Sequence, residues 1–338
     1  MKKIGVGVIG VGIQGERHAA VYANNPLSKL IAVADIDGAK AERIARKYGA
    51  EVYFTDYHKL LDMDEIVAVS IATPDFLHRD PCIAAAEAGK HVLVEKPMAT
   101  SVSDCQAMID ACRKAGVKLM VAFHNRWNPV FVQTKLSVTN GDLGKLVYAY
   151  ARLNDTIYVP TKMLSWASRS SSLWFLGSHV IDLLLWLFEE KPIKVYGFQR
   201  GGKLKSMGID TPDLYGYVLY FKDAIAFGEN VWILPDGSPT IAEFKLELIG
   251  DKGCVYTDHS RGRSIEKITD RYIIPDTYVY YDLYGKPLGF TAECVNHFIE
   301  CVAMDREPIV KGEDGLIVTK IISSILESVD RLAEIYVS

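Results

Sequence analysis

An apolar run from Ile4 to Ile9 leads directly into Gly10-Val11-Gly12-Ile13-Gln14-Gly15, and the next apolar run, Leu30 to Ala34, ends on Asp35. Glycines at that spacing after a strand allow the chain to turn sharply and restart as a helix. Gly10 permits the tight turn, Gly12 lets backbone approach a pyrophosphate, and Gly15 lets helix and strand pack closely; the helix N-terminus then presents N–H donors to the phosphates. Asp35, 20 positions after Gly15, stands where a ribose needs a carboxylate. The combination points to a nicotinamide dinucleotide, with Ile13, Gln14 and Ile36 among its neighbours. A carboxylate that accepts from both ribose hydroxyls repels a 2′-phosphate, and no arginine follows in Asp35-Ile36-Asp37-Gly38, so NAD is favoured over NADP.

The chain has 338 residues, more than one ordinary core accommodates, so two domains are expected. The reading is a dinucleotide-binding domain over 1–123, then a domain for substrate and oligomerisation over 124–338 whose last helix packs back towards the first. A net charge of −4 offers no basic face to nucleic acid or an anionic membrane. The six cysteines, at 82, 105, 112, 254, 294 and 301, form no CxxC or Cys/His cluster, so neither a metal site nor a disulfide framework is expected, and reduced thiols suit the cytoplasm. Glycines interrupt the first apolar stretch, so no secretion signal is expected. Leu173 to Phe188 is apolar but contains Ser178, His179 and Asp182; it reads as a buried helix, too short and too polar for a bilayer span.

Short apolar runs near 4–10, 30–35, 51–54, 66–72, 91–94 and 118–122 alternate with helical patterns near 14–24, 38–48, 76–89 and 102–116. That alternation predicts an α/β, doubly wound Rossmann domain, with Ser101 or Ser103 capping its last helix. Beyond Asn125-Arg126-Trp127-Asn128-Pro129 the chain turns aromatic and β-branched, as in Leu214 to Phe221 and Ala224 to Trp232. An α+β domain with a large, mostly antiparallel open sheet is predicted there, holding all five tryptophans (127, 166, 174, 186 and 232) and closed by helices near 291–304 and 313–335.

Three further segments carry chemistry: Thr73-Pro74-Asp75 with His78 after the fourth strand, Glu95-Lys96-Pro97 after the fifth, and Gly177-Ser178-His179-Val180-Ile181-Asp182 in the second domain. With the glycine loop they resemble the glucose-fructose oxidoreductase and inositol dehydrogenase family (Gfo/Idh/MocA) over nearly the whole length. Gly89 to Ala99 is the most specific block, and Gly312-Glu313-Asp314-Gly315 opens the final helix as in the family. The resemblance implies that Lys96 reaches the substrate hydroxyl that is oxidised, that the bond before Pro97 is cis, and that Thr73, Pro74, His78, Glu95, Lys96 and Pro97 line the cofactor. His179 is then the general base, since imidazole titrates near neutrality. Asp182, three residues on, shares its helical face and either holds the imidazole or pairs elsewhere.

The sequence departs from the family's sugar dehydrogenases at Phe175, where an aspartate usually stands four residues before the histidine. Phe175 offers an apolar wall instead, and Asn125, Arg126, Tyr158, Lys162, Trp166, Arg169 and Asp182 are the candidate polar and aromatic substrate contacts. The expectation is an NAD-dependent oxidoreductase acting on a secondary hydroxyl or ketone of a cyclic polyol, sugar or sugar derivative. The alternatives are a reductase or redox-neutral enzyme retaining NAD(H), and a non-catalytic nucleotide sensor. No metal, nucleic acid or membrane partner is expected; a homodimer or homotetramer formed through the open sheet is.

Overall fold

The computed structural model describes residues 3–261 and 265–337. Its first part alternates strands and helices: β1 (Ile4–Ile9), α1 (Ile13–Asn24), β2 (Ser28–Ala34), α2 (Gly38–Tyr48), β3 (Val52–Phe54), α3 (Tyr57–Leu61), β4 (Ile66–Ile71), α4 (Arg79–Glu87), β5 (His91–Val94), α5 (Val102–Ala115) and β6 (Leu119–Val121). The six strands are parallel, in the order β3-β2-β1-β4-β5-β6. This is the doubly wound order, in which the strand order reverses between β1 and β4. The strands are mostly apolar because helices cover both faces, with Ser70 of β4 a buried polar exception. Turn chemistry closes the helices locally. Ser101 accepts the Asp104 N–H at 3.1 Å and so caps α5, which ends at Gly116 in a left-handed conformation, φ +67°.

The next stretch holds α6 (Pro129–Thr139), β7 (Leu146–Asp155), α7 (Ser178–Phe188), β8 (Lys194–Arg200), the short α8 (Lys203–Ser206), β9 (Leu214–Tyr220), β10 (Ile225–Val231), β11 (Ala242–Gly250), β12 (Cys254–Asp258) and a hairpin of β13 (Lys267–Ile268) and β14 (Tyr272–Ile273). Then follow a second hairpin, β15 (Tyr281–Leu283) with β16 (Lys286–Leu288), the helices α9 (Phe290–Ala303) and α10 (Gly312–Arg331), and β17 (Ile335–Tyr336). A seven-stranded sheet runs β12-β11-β7-β10-β9-β8-β17, antiparallel except where β7 meets β10. Its strands alternate in burial. Ala149, Ala151, Leu219 and Ala226 are buried on one face, while Tyr150, Phe227, Val218 and Tyr196 stand in register across the other.

The chain forms two compact units: Met1–Asn128 with Thr277–Ile317, and Pro129–Asp276 with Val318–Ser338. This differs from a simple division at 123/124. Cys294, Val295, Phe298 and Ile299 of α9 join the first unit's core with Val6, Tyr22 and Leu30; burying Phe298 alone is worth about 2 kcal/mol. Trp127 likewise belongs to the first unit, its ring 5.2 Å from that of His297. The last helix stops at Arg331, short of the expected 335: Leu332 turns left-handed, φ +54°, and Ile335–Tyr336 pairs with β8. None of the six cysteines forms a disulfide. Among the described residues no helix is long and apolar enough to cross a membrane.

Candidate active site

The dinucleotide loop leaves the carboxyl end of β1. Gly10 has φ +82°, and a Cβ there would lie 2.8 Å from the backbone of Ala72 and Thr73, so only glycine fits the turn. A Cβ at Gly15, in the first turn of α1, would collide with the Gly10 carbonyl. At Gly12 a Cβ would meet nothing within 4 Å. The backbone there faces open space, the condition for a phosphate to approach it. Ile13 and Gln14 follow in the first turn of α1, and Ile13 is exposed.

Asp35 follows β2 and anchors this loop: Oδ2 accepts Val11 N–H at 2.9 Å and Oδ1 accepts Asp37 N–H at 3.0 Å, with Lys40 Nζ 3.8 Å from Oδ1. Ile36 beside it is 95% exposed, an apolar side chain with nothing of its own chain to cover it. The strands prolong their hydrogen bonding into these turns. Gly10 N–H donates to Ala34 O, Ala72 N–H to Ile9 O and Glu95 N–H to Ile71 O, at 2.8 to 2.9 Å. The turns carrying Gly10, Asp35, Thr73 and Lys96 are thereby held together at the carboxyl ends of the strands, where doubly wound sheets bind their ligands. An open glycine backbone, a helix N-terminus and a carboxylate at the end of β2 fit an NAD molecule.

After β4, Thr73 and Pro74 lead into a 3-10 turn, Asp75–Leu77, and the Thr73 hydroxyl donates to Leu77 O at 3.1 Å. His78 is buried, and its two ring nitrogens lie 2.9 Å from Pro97 O and from Thr73 O. It thereby ties together the Thr73 and Pro97 turns. The Lys96–Pro97 bond is cis, as the family pattern implies. Lys96 is only 7% exposed, so it is no solvated surface lysine. Glu95 is buried too, with Oε1 3.2 Å from His18 Nε2 and Oε2 accepting Lys96 N–H at 3.1 Å. Burial works to raise its pKa, but the hydrogen bond and charge of His18, with Lys96 and His124, outweigh it and hold the carboxyl at about 2. His124 is pushed down to about 4, chiefly by burial.

Asn125 and Arg126, candidate substrate contacts, lie in the first unit, in the 3-10 turn after β6. Asn125 is buried, and Arg126 Nη2 is engaged by Asp314 Oδ1 at 2.9 Å, a structural ion pair within that unit. The other candidates sit on the second unit's connection from β7 to α7. Tyr158, Lys162 and Arg169 are exposed there and Trp166 is half-buried. Leu173–Gly177 forms a π-helical turn directly before α7, an arrangement frequent at functional sites. Phe175 lies in that turn between Trp166 and Trp232, ring centroids 6.2 and 5.9 Å away. Its site is an aromatic cluster, where a carboxylate would be poorly solvated. His179 and Asp182 follow on one face of α7, 7% and 1% exposed.

Residues 4–123 match the family described as "Oxidoreductase family, NAD-binding Rossmann fold", and residues 135–333 its C-terminal alpha/beta domain. The chain belongs to the Gfo/Idh/MocA family of oxidoreductases. Its first unit holds that family's NAD-binding Rossmann domain. The chain is 34% identical over 206 residues to levoglucosan dehydrogenase of Pseudarthrobacter phenanthrenivorans, a match covering 56% of this chain and 52% of that protein, about half its length. It is 27% identical over 319 residues to scyllo-inositol 2-dehydrogenase (NAD(+)) of Bacillus subtilis, covering 92% of this chain and 89% of the other. The crystal structure of myo-inositol 2-dehydrogenase from Lactobacillus plantarum shares the fold, with a TM-score of 0.87 at 22% identity and full coverage of both chains.

Sequence reasoning found the residues of the Gfo/Idh/MocA motifs but missed His18, which meets Glu95, and the buried His124. His18 sits on the buried side of α1, three positions past Gly15, and His124 directly follows β6 and its extension. A histidine on an apolar helix face was the available signal for the first.

Proposed function

We propose that this protein is an NAD-dependent dehydrogenase that oxidises a secondary hydroxyl of a cyclic polyol, sugar or sugar derivative. The observation that carries the reading is the burial of Lys96 in the turn after β5, at the carboxyl end of the sheet that also holds the glycine loop and Asp35. NAD, when bound, supplies the two-electron acceptor. Lys96 holds the substrate oxygen and stabilises the negative charge it gains as its proton leaves. His179 accepts that proton as general base, and the helical spacing makes Asp182 the group that orients the imidazole. Retention of both Lys96 and His179 argues against a sensor without turnover. Phe175, between two tryptophans, supports a substrate presenting an apolar sugar face over one that needs a carboxylate for an added hydroxyl.

Levoglucosan and the inositols, the substrates in the relatives' names, are the first compounds to test, beside free sugars and sugar acids. Expected is NADH formation with one class of these, lost in Lys96→Ala and reduced by at least about 100-fold in His179→Ala. Clear NAD binding with no turnover in either direction on the panel overturns the reading. Tyr150, Tyr196 and Phe227 face outwards on the open sheet, with Phe198 48% exposed beside them. An aromatic face of this kind supports a homodimer or homotetramer, which light scattering decides. Six cysteines outside any disulfide suit a reducing, cytoplasmic compartment.

A further inference from the structure

His78 stands directly before α4, the position from which side chains cap a helix, yet its ring makes no cap bond. The ring is buried and meets three backbone carbonyl oxygens instead: Nδ1 lies 2.9 Å from Pro97 O and 3.3 Å from Met98 O, and Nε2 lies 2.9 Å from Thr73 O. Among the described residues these are the only hydrogen-bond partners of its side chain. A neutral imidazole carries one N–H and one bare lone pair. Whichever nitrogen held that lone pair would point it at a carbonyl oxygen 2.9 Å away, two acceptors in contact with no proton between them and no room for water. Both nitrogens therefore donate, and the ring that fits this place is the doubly protonated imidazolium.

We propose that His78 is a positioning residue for Lys96, a doubly protonated strut that spaces the turn after β4 from the Lys96–Pro97 turn. This rests on the reading of Lys96 given above. The Lys96 backbone runs between two held points. Its N–H donates to Glu95 Oε2 at 3.1 Å, and the carbonyls of the next two residues, Pro97 and Met98, accept from His78. The far end of the strut is firm as well, since the Thr73 hydroxyl closes its own turn on Leu77 O at 3.1 Å. Hydrogen bonds from a charged donor are about twice as strong as neutral ones. The charged groups on the surrounding elements are Asp75 in the 3-10 turn, Arg79 and Asp80 at the start of α4, and Glu95 and Lys96 on the turn that His78 grips. Arg79 is taken up by Asp80 at 2.6 Å and by Asp104 of α5 at 3.2 Å. The N-terminus of α4 disfavours a cation beside it, so the second proton stays only while carbonyls face both sides of the ring. Proton and spacing are thus coupled: a neutral ring must let go of one turn, and the backbone around Lys96 loosens with it.

The test counts the ring protons of His78 in the whole protein, without cofactor and at neutral pH, by proton–nitrogen correlation spectra of isotope-labelled histidine, with the signals assigned by their loss in the His78 variants. Two protonated ring nitrogens are expected; one protonated nitrogen beside one with a free lone pair overturns the proposal. His78→Asn places an amide donor where Nδ1 stands and His78→Gln places one where Nε2 stands, so the first keeps the hold on Pro97 and the second the hold on Thr73. Hydrogen exchange of the Lys96 amide should quicken about 10-fold or more in His78→Gln and by no more than about threefold in His78→Asn. The kcat of the NAD-linked oxidation should fall in the same order. Equal exchange and equal kcat in the two variants overturn the positioning role, because lost packing alone does not tell the two ends of the ring apart. If either variant fails to fold, the wild-type proton count decides. Full turnover in Lys96→Ala would remove the functional reading of Lys96, and the ring protons and the Lys96 amide exchange would still report whether the strut exists.

Discussion

The three loop glycines separate folding from cofactor binding, and Gly12→Ala is the sharpest perturbation. Gly12 has φ −67° and ψ −158°, a backbone open to any residue, and its Cβ would meet no atom within 4 Å. Alanine there narrows the unfolded ensemble, so stability should be unchanged or rise by about 0.5 kcal/mol. The methyl group instead occupies the space through which a pyrophosphate approaches the backbone. Losing one charge-assisted hydrogen bond costs roughly 1.5 to 3 kcal/mol, or about 10- to 150-fold in NAD affinity. Gly15→Ala differs, because its Cβ collides with the Gly10 carbonyl and the loop must shift even without ligand. That variant should lose melting temperature as well as affinity. Thermal melts paired with calorimetric NAD titrations of both variants distinguish the cases. Wild-type affinity in Gly12→Ala, or a melting temperature lowered as far as in Gly15→Ala, would refute the cradle assigned to Gly12.

Two further outcomes follow from charge. His124 and His259 are pushed down from the ordinary histidine value of 6.5 to about 4, each chiefly by burial. Both are neutral when folded and take up protons on unfolding, so the stability they confer is complete above pH 6.5 and is lost as pH falls towards 4. A drop from 6.5 to about 4 at about 1.36 kcal/mol per pH unit is roughly 3 kcal/mol each at most; Glu95, whose folded pKa is depressed from 4.5 to about 2, adds its loss only below 4.5. Calorimetry should show the melting temperature level above neutrality and falling through the mildly acid range, and a flat profile down to pH 4 sinks the assignment. Asp35→Ser removes the carboxylate that accepts the Val11 and Asp37 N–H groups and leaves Lys40 without its partner 3.8 Å away. NAD affinity should fall about 10- to 100-fold, while NADP loses less or gains. An unchanged ratio of the two dissociation constants contradicts the role given to Asp35.

The glycine loop, Asp35 and the Glu95-Lys96-Pro97 turn were legible because each depends on a few consecutive residues at a strand end, where turn chemistry and period alone decide the backbone. The alternation of apolar runs with helical patterns likewise announced the doubly wound domain, and the aromatic and β-branched runs the antiparallel character of the second sheet. The return of Thr277–Ile317 to the first unit was not legible, since α9 carries an apolar face that any core would accept. Only the assembled sheet selects its partner. The same holds for Trp127, drawn to His297, and for Arg126, taken by Asp314, 188 positions away. The aromatic pocket of Phe175 and the His18–Glu95 pair also join residues from separate elements. Local sequence determines which backbone a segment adopts; which buried polar groups face each other, and hence what charge they hold, is decided when distant segments close the core and remove the water that would otherwise screen them.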